Sequence, residues 1–183
     1  DHVSVLAASN RLTDKAGSRP ILTQIAGRFI TQITLDVDPL GWLNWAAKST
    51  IDYRVQSYIS AHPAQLCNFD AAKHYIDQTA YAAPRSWQYA SDLLAWDLDR
   101  ATFSEAIFGT VGEAIAPAFV SHCDLISANI DITKILAGGK FAWPGTVPEQ
   151  LALSIGIGAC ANEDNAGCVF DVARKIYGLN QHQ

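Results

Sequence analysis

The chain reads as mostly helical, with a small α/β part at its N-terminal end. Three observations carry that expectation. Two short runs rich in β-branched and small apolar residues, Val3–Ala8 and Ile30–Val37, have strand character. From residue 38 onward apolar residues recur at helical spacing, and helix starts are marked by Asp38-Pro39, Pro84 and Pro148. Hydrophobic residues make up 49% and charged residues 17% of the 183, which places the chain among folded globular proteins and not among disordered ones.

The elements follow in order. Val3–Ala8 (V-S-V-L-A-A) is the pattern of a strand buried on both faces. It stops at Ser9-Asn10, so the Asn10 amide sits just past the carboxyl end of that strand. In open α/β sheets that edge binds ligands. A loop of small and charged residues leads to a short helix opened by Pro20 and ended at Gly27, with Arg28 directly after it. Ile30–Val37 is the second strand. A strand of the first kind needs neighbours on both sides for its backbone groups.

Asp38 then caps a helix whose first residue is Pro39, with Leu40, Leu43 and Ala47 on its apolar face and Trp42 and Trp45 beside that stripe. Asp52–His62 is the next helix, closed by Pro63, with Val55, Tyr58 and Ile59 facing inward. A loop through Leu66, Cys67, Phe69 and Asp70 follows, and Ala71–Ala83 has no decisive pattern. Pro84 opens a helix that turns Trp87, Ala90 and Leu94 to a core, with Tyr89 and Leu93 as further candidates for that face. Ala101–Cys123 is the longest helical pattern, weakened at Gly109 and Gly112 and kinked at Pro117. Asp131–Ala137 is a short helix stopped by Gly138-Gly139. Pro148 opens a helix running to Cys160. Asn162 or Asn165 caps the last helix, which carries Val169, Phe170, Val172, Ala173 and Ile176.

The order of strand, polar tip, helix, Gly27-Arg28-Phe29 and strand, followed downstream by A-P-R-S-W at 83–87, resembles the C-terminal part of an AAA+ ATPase, in particular the MoxR-type branch. The resemblance spans the whole chain. It implies two units: residues 1–37, the last two strands of the P-loop core, and residues 38–183, a helical lid with a C-terminal helical extension. It places Asn10 at the sensor-1 position, where an amide holds water in line with a phosphate. It places Arg28 at the arginine finger, reaching a neighbouring subunit's nucleotide; such a finger acting in trans can be worth ~10³–10⁵ in rate. Arg85 falls at the sensor-2 position, at the start of a lid helix. A cation there opposes the helix dipole and calls for an anion nearby. The resemblance further implies ATP and Mg²⁺ as cofactors and a homo-oligomeric ring, a hexamer. It implies a von Willebrand A-domain protein as partner and an activity that remodels or matures other proteins.

The residues also admit plainer roles. Asn10 fits a turn, Arg28 a solvated charge at a helix C-terminus, and Arg85 a surface arginine or an ion pair with Asp77 or Asp92. Arg11 and Arg19 are weaker candidates for the finger. The chain has no G-x-x-x-x-G-K-[ST] phosphate loop and no acidic strand end of the Walker-B kind. With no methionine and an apolar strand at its start, it is expected to be a piece of a longer protein. Alone it should neither hydrolyse ATP nor hold it tightly. The alternative is a self-contained helical module that binds a partner protein and has no nucleotide role.

Other classes are disfavoured. A formal net charge of −5 gives no basic field for nucleic acid. No apolar run is long enough to cross a bilayer, and no signal-peptide layout is present. The four cysteines form no C-x-x-C pair and read as thiols in a reducing compartment, hence a cytoplasmic protein. The histidines show no H-x-x-x-H or H-E-x-x-H spacing, so no metal site is expected. His122 reads as a surface residue beside a buried Cys123.

Overall fold

A computed structural model describes residues 3–14, 20–71, 73–74 and 79–180. The described part is mostly helical. After a 3₁₀ turn at Leu12–Asp14, the helices are α1 (Thr23–Ala26), α2 (Pro39–Ala46) and α3 (Tyr53–Ala61), then a 3₁₀ turn at Pro63–Leu66. They continue with α4 (Pro84–Leu94), α5 (Arg100–Val111), α6 (Ala116–Asn129), α7 (Ile132–Leu136), α8 (Val147–Cys160) and α9 (Ala166–Asn180).

Local chemistry sets most of these boundaries. Asp52 caps α3 by accepting the Arg54 N–H at 2.8 Å. Asp99 caps α5 through the N–H groups of Ala101 and Thr102, and Asp131 caps α7 through that of Lys134. Thr146 and Glu149 form a capping box at the start of α8. Pro39 and Pro84 open α2 and α4, where a missing N–H costs nothing. Asn162 and Asn165 exchange side-chain bonds at 2.8 and 3.0 Å, so both fix the turn into α9.

The long pattern over Ala101–Cys123 is not one helix. It divides at Gly112, which has φ +85° and ψ 160°. Pro117 therefore lies in the first turn of α6 and does not kink a longer helix. The short N-terminal helix starts at Thr23 and not at Pro20. On α2 the inward residues are Trp42 and Ala46, with Leu43 half-buried; Leu40 is 74% exposed and Ala47 is also exposed. The Trp42 indole, beside the expected stripe, decides which face turns in, while Trp45 stays 47% exposed. Burying Trp42 removes more apolar area than burying Leu40 would. The side chains of Arg19, Asp77 and Ile176, and much of Ala71–Ala83, lie outside the described residues.

Two apolar clusters form the interior. The first joins α2 to α6 and centres on Trp87, Tyr58, Phe119, Ile59 and Ile107. The second joins α6 to α9 and includes Ile126, Ile132, Ile135, Leu153 and Val172. Helix α3 packs on α2, α4, α6 and α8. Gly156 of α8 lets it come close: a Cβ there would lie 2.8 Å from Ile132 and 3.1 Å from Tyr53.

The described residues between 3 and 37 contribute nothing to either cluster. None of the described ones is buried, and Val3, Leu6, Ile30, Ile33 and Leu35 are each more than three-quarters exposed. Neither expected strand forms: no strand is present among the described residues. The physical reason is the lack of a neighbour, since a lone extended run leaves its N–H and C=O groups to water.

Candidate functional site

Of the three arginine and asparagine candidates, Arg85 lines the larger of two clefts formed by the described residues, and neither cleft includes Asn10 or Arg28. Arg85 is the second residue of α4, and it lines an open cleft of about 590 Å³ between α4, α5 and the segment that precedes α4. Tyr81, Ser86, Tyr89 and Thr110 complete the polar and aromatic lining, and Gly109 leaves open space on the α5 side. Pro84 orients this end by starting α4 abruptly. Ala83, at the cap position, offers no side-chain acceptor to the first turn. The backbone N–H groups of Arg85 and Ser86 are thus among the unsatisfied donors of the helix start, with the positive end of the helix dipole behind them.

The side chains sharpen this polarity. Ser86 Oγ donates to Tyr81 O at 2.9 Å, and Thr110 Oγ1 donates to Ala106 O at 2.7 Å. Both hydroxyl protons are thereby committed to backbone carbonyls. The Arg85 guanidinium is the cation of the lining, and among the described residues it makes no ion pair. Asp92, one of its expected partners, is exposed on the same helix and makes no ion pair with it. Other arginines behave differently. Arg54 holds Asp52 at 2.8 Å and Arg100 holds Asp124 at 2.6 Å, both at the rim of a second, smaller cleft near Trp96 and Phe103. Those charges are already neutralised. The chemistry available at the Arg85 cleft is therefore capture of an anion beside two phenol rings.

The other candidates stand apart. Asn10 is exposed in a stretch without regular secondary structure and does not line the cleft. Arg28 is exposed just past α1, where its backbone N–H bonds Ile25 O at 3.0 Å, and its side chain makes no ion pair among the described residues. Arg11 is committed to the half-buried Asp14 at 3.3 Å and to the exposed Asp36 at 3.4 Å. The structure does not bring Asn10, Arg28 and Arg85 to one place.

Sequence reasoning missed two features. Tyr89, expected toward a core, is 53% exposed and lines the cleft instead, four residues after Arg85 and on its helix face. The second is His122, which is buried and not on the surface. Its Nε2 lies 2.9 Å from Ser57 Oγ, between α6 and α3, with the Tyr58 ring edge-on at 5.4 Å. The distance suits a nucleophile and its base, but Ser57 is fully buried and no substrate reaches it. This pair is structural. Burial, the largest cause, holds the His122 imidazole below its ordinary value; a hydrogen bond to the Arg54 backbone opposes this and nearby His62 adds to it.

A pH dependence follows. In the unfolded chain His122 takes up its proton near pH 6.5, but the folded chain resists it to lower pH. Stability is fully retained above that value and falls as the pH drops from about 6.5 toward the folded value. Urea unfolding at pH 7.5 and pH 5.5 should show the loss, and His122→Gln should flatten it.

No group of histidine, cysteine or acidic residues suited to a metal ion occurs among the described residues. All four cysteines are free, and burial pushes the Cys123 thiol up to about 12, so it is inert. No helix is long and apolar enough to cross a membrane, among the described residues. No family model, no curated protein and no solved structure matches the chain.

Proposed function

We propose that the chain is the C-terminal part of a MoxR-type AAA+ ATPase, with residues 38–183 as the lid over the nucleotide and Arg85 as its phosphate-sensing residue. The observation that carries this reading is the Arg85 guanidinium, which makes no ion pair among the described residues, at the uncapped start of α4 in an open cleft. Exposed phosphate oxygens suit a fork of N–H donors, and the first-turn backbone adds two more. The residues 83–87 that carry the resemblance are those that build this corner.

In this reading residues 1–37 supply the last two strands of the core, with Asn10 as sensor 1 and Arg28 as the finger that reaches a neighbouring subunit of a hexameric ring. ATP and Mg²⁺ belong to the whole protein. Its activity is remodelling or maturing partner proteins in the cytoplasm, with a von Willebrand A-domain protein as partner class. Two apolar runs that lie exposed with no sheet around them are what core strands without their neighbours would look like. The 183-residue chain, without a phosphate loop, hydrolyses nothing alone.

The test uses the intact coding region and the purified protein it encodes. Arg85→Ala should weaken ATP binding or turnover by about 10–100-fold, the scale of one or two charge-assisted hydrogen bonds. Arg54→Ala, whose charge is already paired, should leave turnover near the parent value in whatever fraction folds. Robust ATPase turnover by the 183-residue chain would falsify the assignment.

A second reading is a helical interaction module without a nucleotide. It is favoured by one observation: both apolar clusters lie within residues 42–172 and need nothing from residues 3–37. The two readings part at the Arg85 cleft, because a module has no use for triphosphate there.

A further inference from the structure

We propose that the 183-residue chain pairs with a second copy of itself through Ile33–Val37, joined as an antiparallel two-fold ribbon centred on Leu35. The inference does not rest on the nucleotide reading. It starts from surface area. A compact protein of 19.8 kDa exposes ~8,600 Å², whereas this chain exposes 12757 Å². The surplus is about 4,000 Å² per chain, more than the ~1,000–2,500 Å² that each partner of an obligate interface buries.

Much of the exposed apolar surface lies at residues 3–37. Ile30 is 104%, Ile33 76% and Leu35 86% exposed. The backbone of residues 30–37 makes no hydrogen bond to another described residue. This run has none of the features that protect an edge: no lysine, no proline and a single charge, Asp36. Among the described residues Asp36 is held by Arg11 at 3.4 Å, with both side chains well exposed, an ion pair too weak to hold the run back.

The occupant follows from the pattern. Ile33-Thr34-Leu35-Asp36-Val37 alternates apolar and polar residues and has the same polarity read in either direction. A two-fold axis at Leu35 sets Leu35 against its copy and Ile33 against Val37, all on one face. On the other face Thr34 meets Asp36, where the hydroxyl can donate to the carboxylate. An unrelated strand would have to match this order by chance, whereas a second copy matches it by symmetry.

Sedimentation of the full 183-residue chain from 1 to 200 μM should show a dimer that grows with concentration. Ile33→Lys with Leu35→Lys should return it to monomer; both residues lie outside the folded clusters, so helicity should not change. Leu35→Cys should form an interchain disulfide on mild oxidation, since opposed residues in such a pair lie within disulfide reach. Gln32→Cys, which the register sets far from its copy, should not exceed the unsubstituted chain. A monomer throughout, a dimer unaffected by the lysines, open-ended aggregation, or cross-linking at residue 32 as strong as at 35 would each overturn the proposal.

Discussion

Replacing Trp87 with alanine is expected to cost about 3–5 kcal/mol, the range for removing a fully buried aromatic side chain. Trp87 has no exposed surface, and its ring lies 5.4 Å from Tyr58 and 5.1 Å from Phe119, the latter nearly edge-on. Tyr58 and Phe119 also meet edge-on at 5.2 Å, so the three rings close on one another. Truncation leaves two of them facing a void. It also strands the Gln65 carbonyl, which now accepts the indole N–H at 3.0 Å. Domains of this size have ~5–15 kcal/mol in hand, so one substitution removes a large share. Urea unfolding should show a much lower midpoint at an unchanged slope. A loss under 1 kcal/mol would mean that the ring cluster is not packed as described.

The second large effect is expected at Gly112. Its φ of +85° with ψ 160° is a region that only glycine enters freely, and an added Cβ would collide with the carbonyl oxygen of Ala80. The strain alone is worth about 1–3 kcal/mol. The collision is with backbone, which cannot swing aside as a side chain can. Gly112→Ala should therefore cost about 3 kcal/mol or more. Ala80 and Tyr81 wall the Arg85 cleft, so the substitution should also disturb that cleft. Gly109→Ala, in the interior of the same helix, is the control. Nothing lies within 4 Å of the added methyl, and the change should stabilise by about 0.5–1 kcal/mol through helix propensity. Comparing the two in thermal unfolding separates backbone conformation from composition.

What was legible in the sequence follows from how local each signal is. Asp52, Pro84 and Gly138 act on their own neighbours, so the helix they start or stop could be read directly. The inward faces of α3 and α4 could be read too, because Tyr58, Ile59, Trp87 and Ala90 follow the helical period and are buried. The division of Ala101–Cys123 was not, since its cause is a close approach to Ala80, some thirty residues away. Burial of His122 depends on Ser57, 65 residues earlier. The Arg85 corner was half visible: A-P-R-S-W marks the helix start, but the walls from Tyr81 and Thr110 come from tertiary packing. The two N-terminal runs have β propensity without β structure, because a strand is a property of a pair and not of a segment.

Helix α3 has one further consequence. Its Val55, Tyr58 and Ile59 belong to one apolar cluster, while its first residue, Tyr53, packs on the other. The same short rod is a party wall between two rooms. Melting either side withdraws support from the other, so the helical body should lose its order in a single concerted transition, with no half-folded species built on one cluster alone.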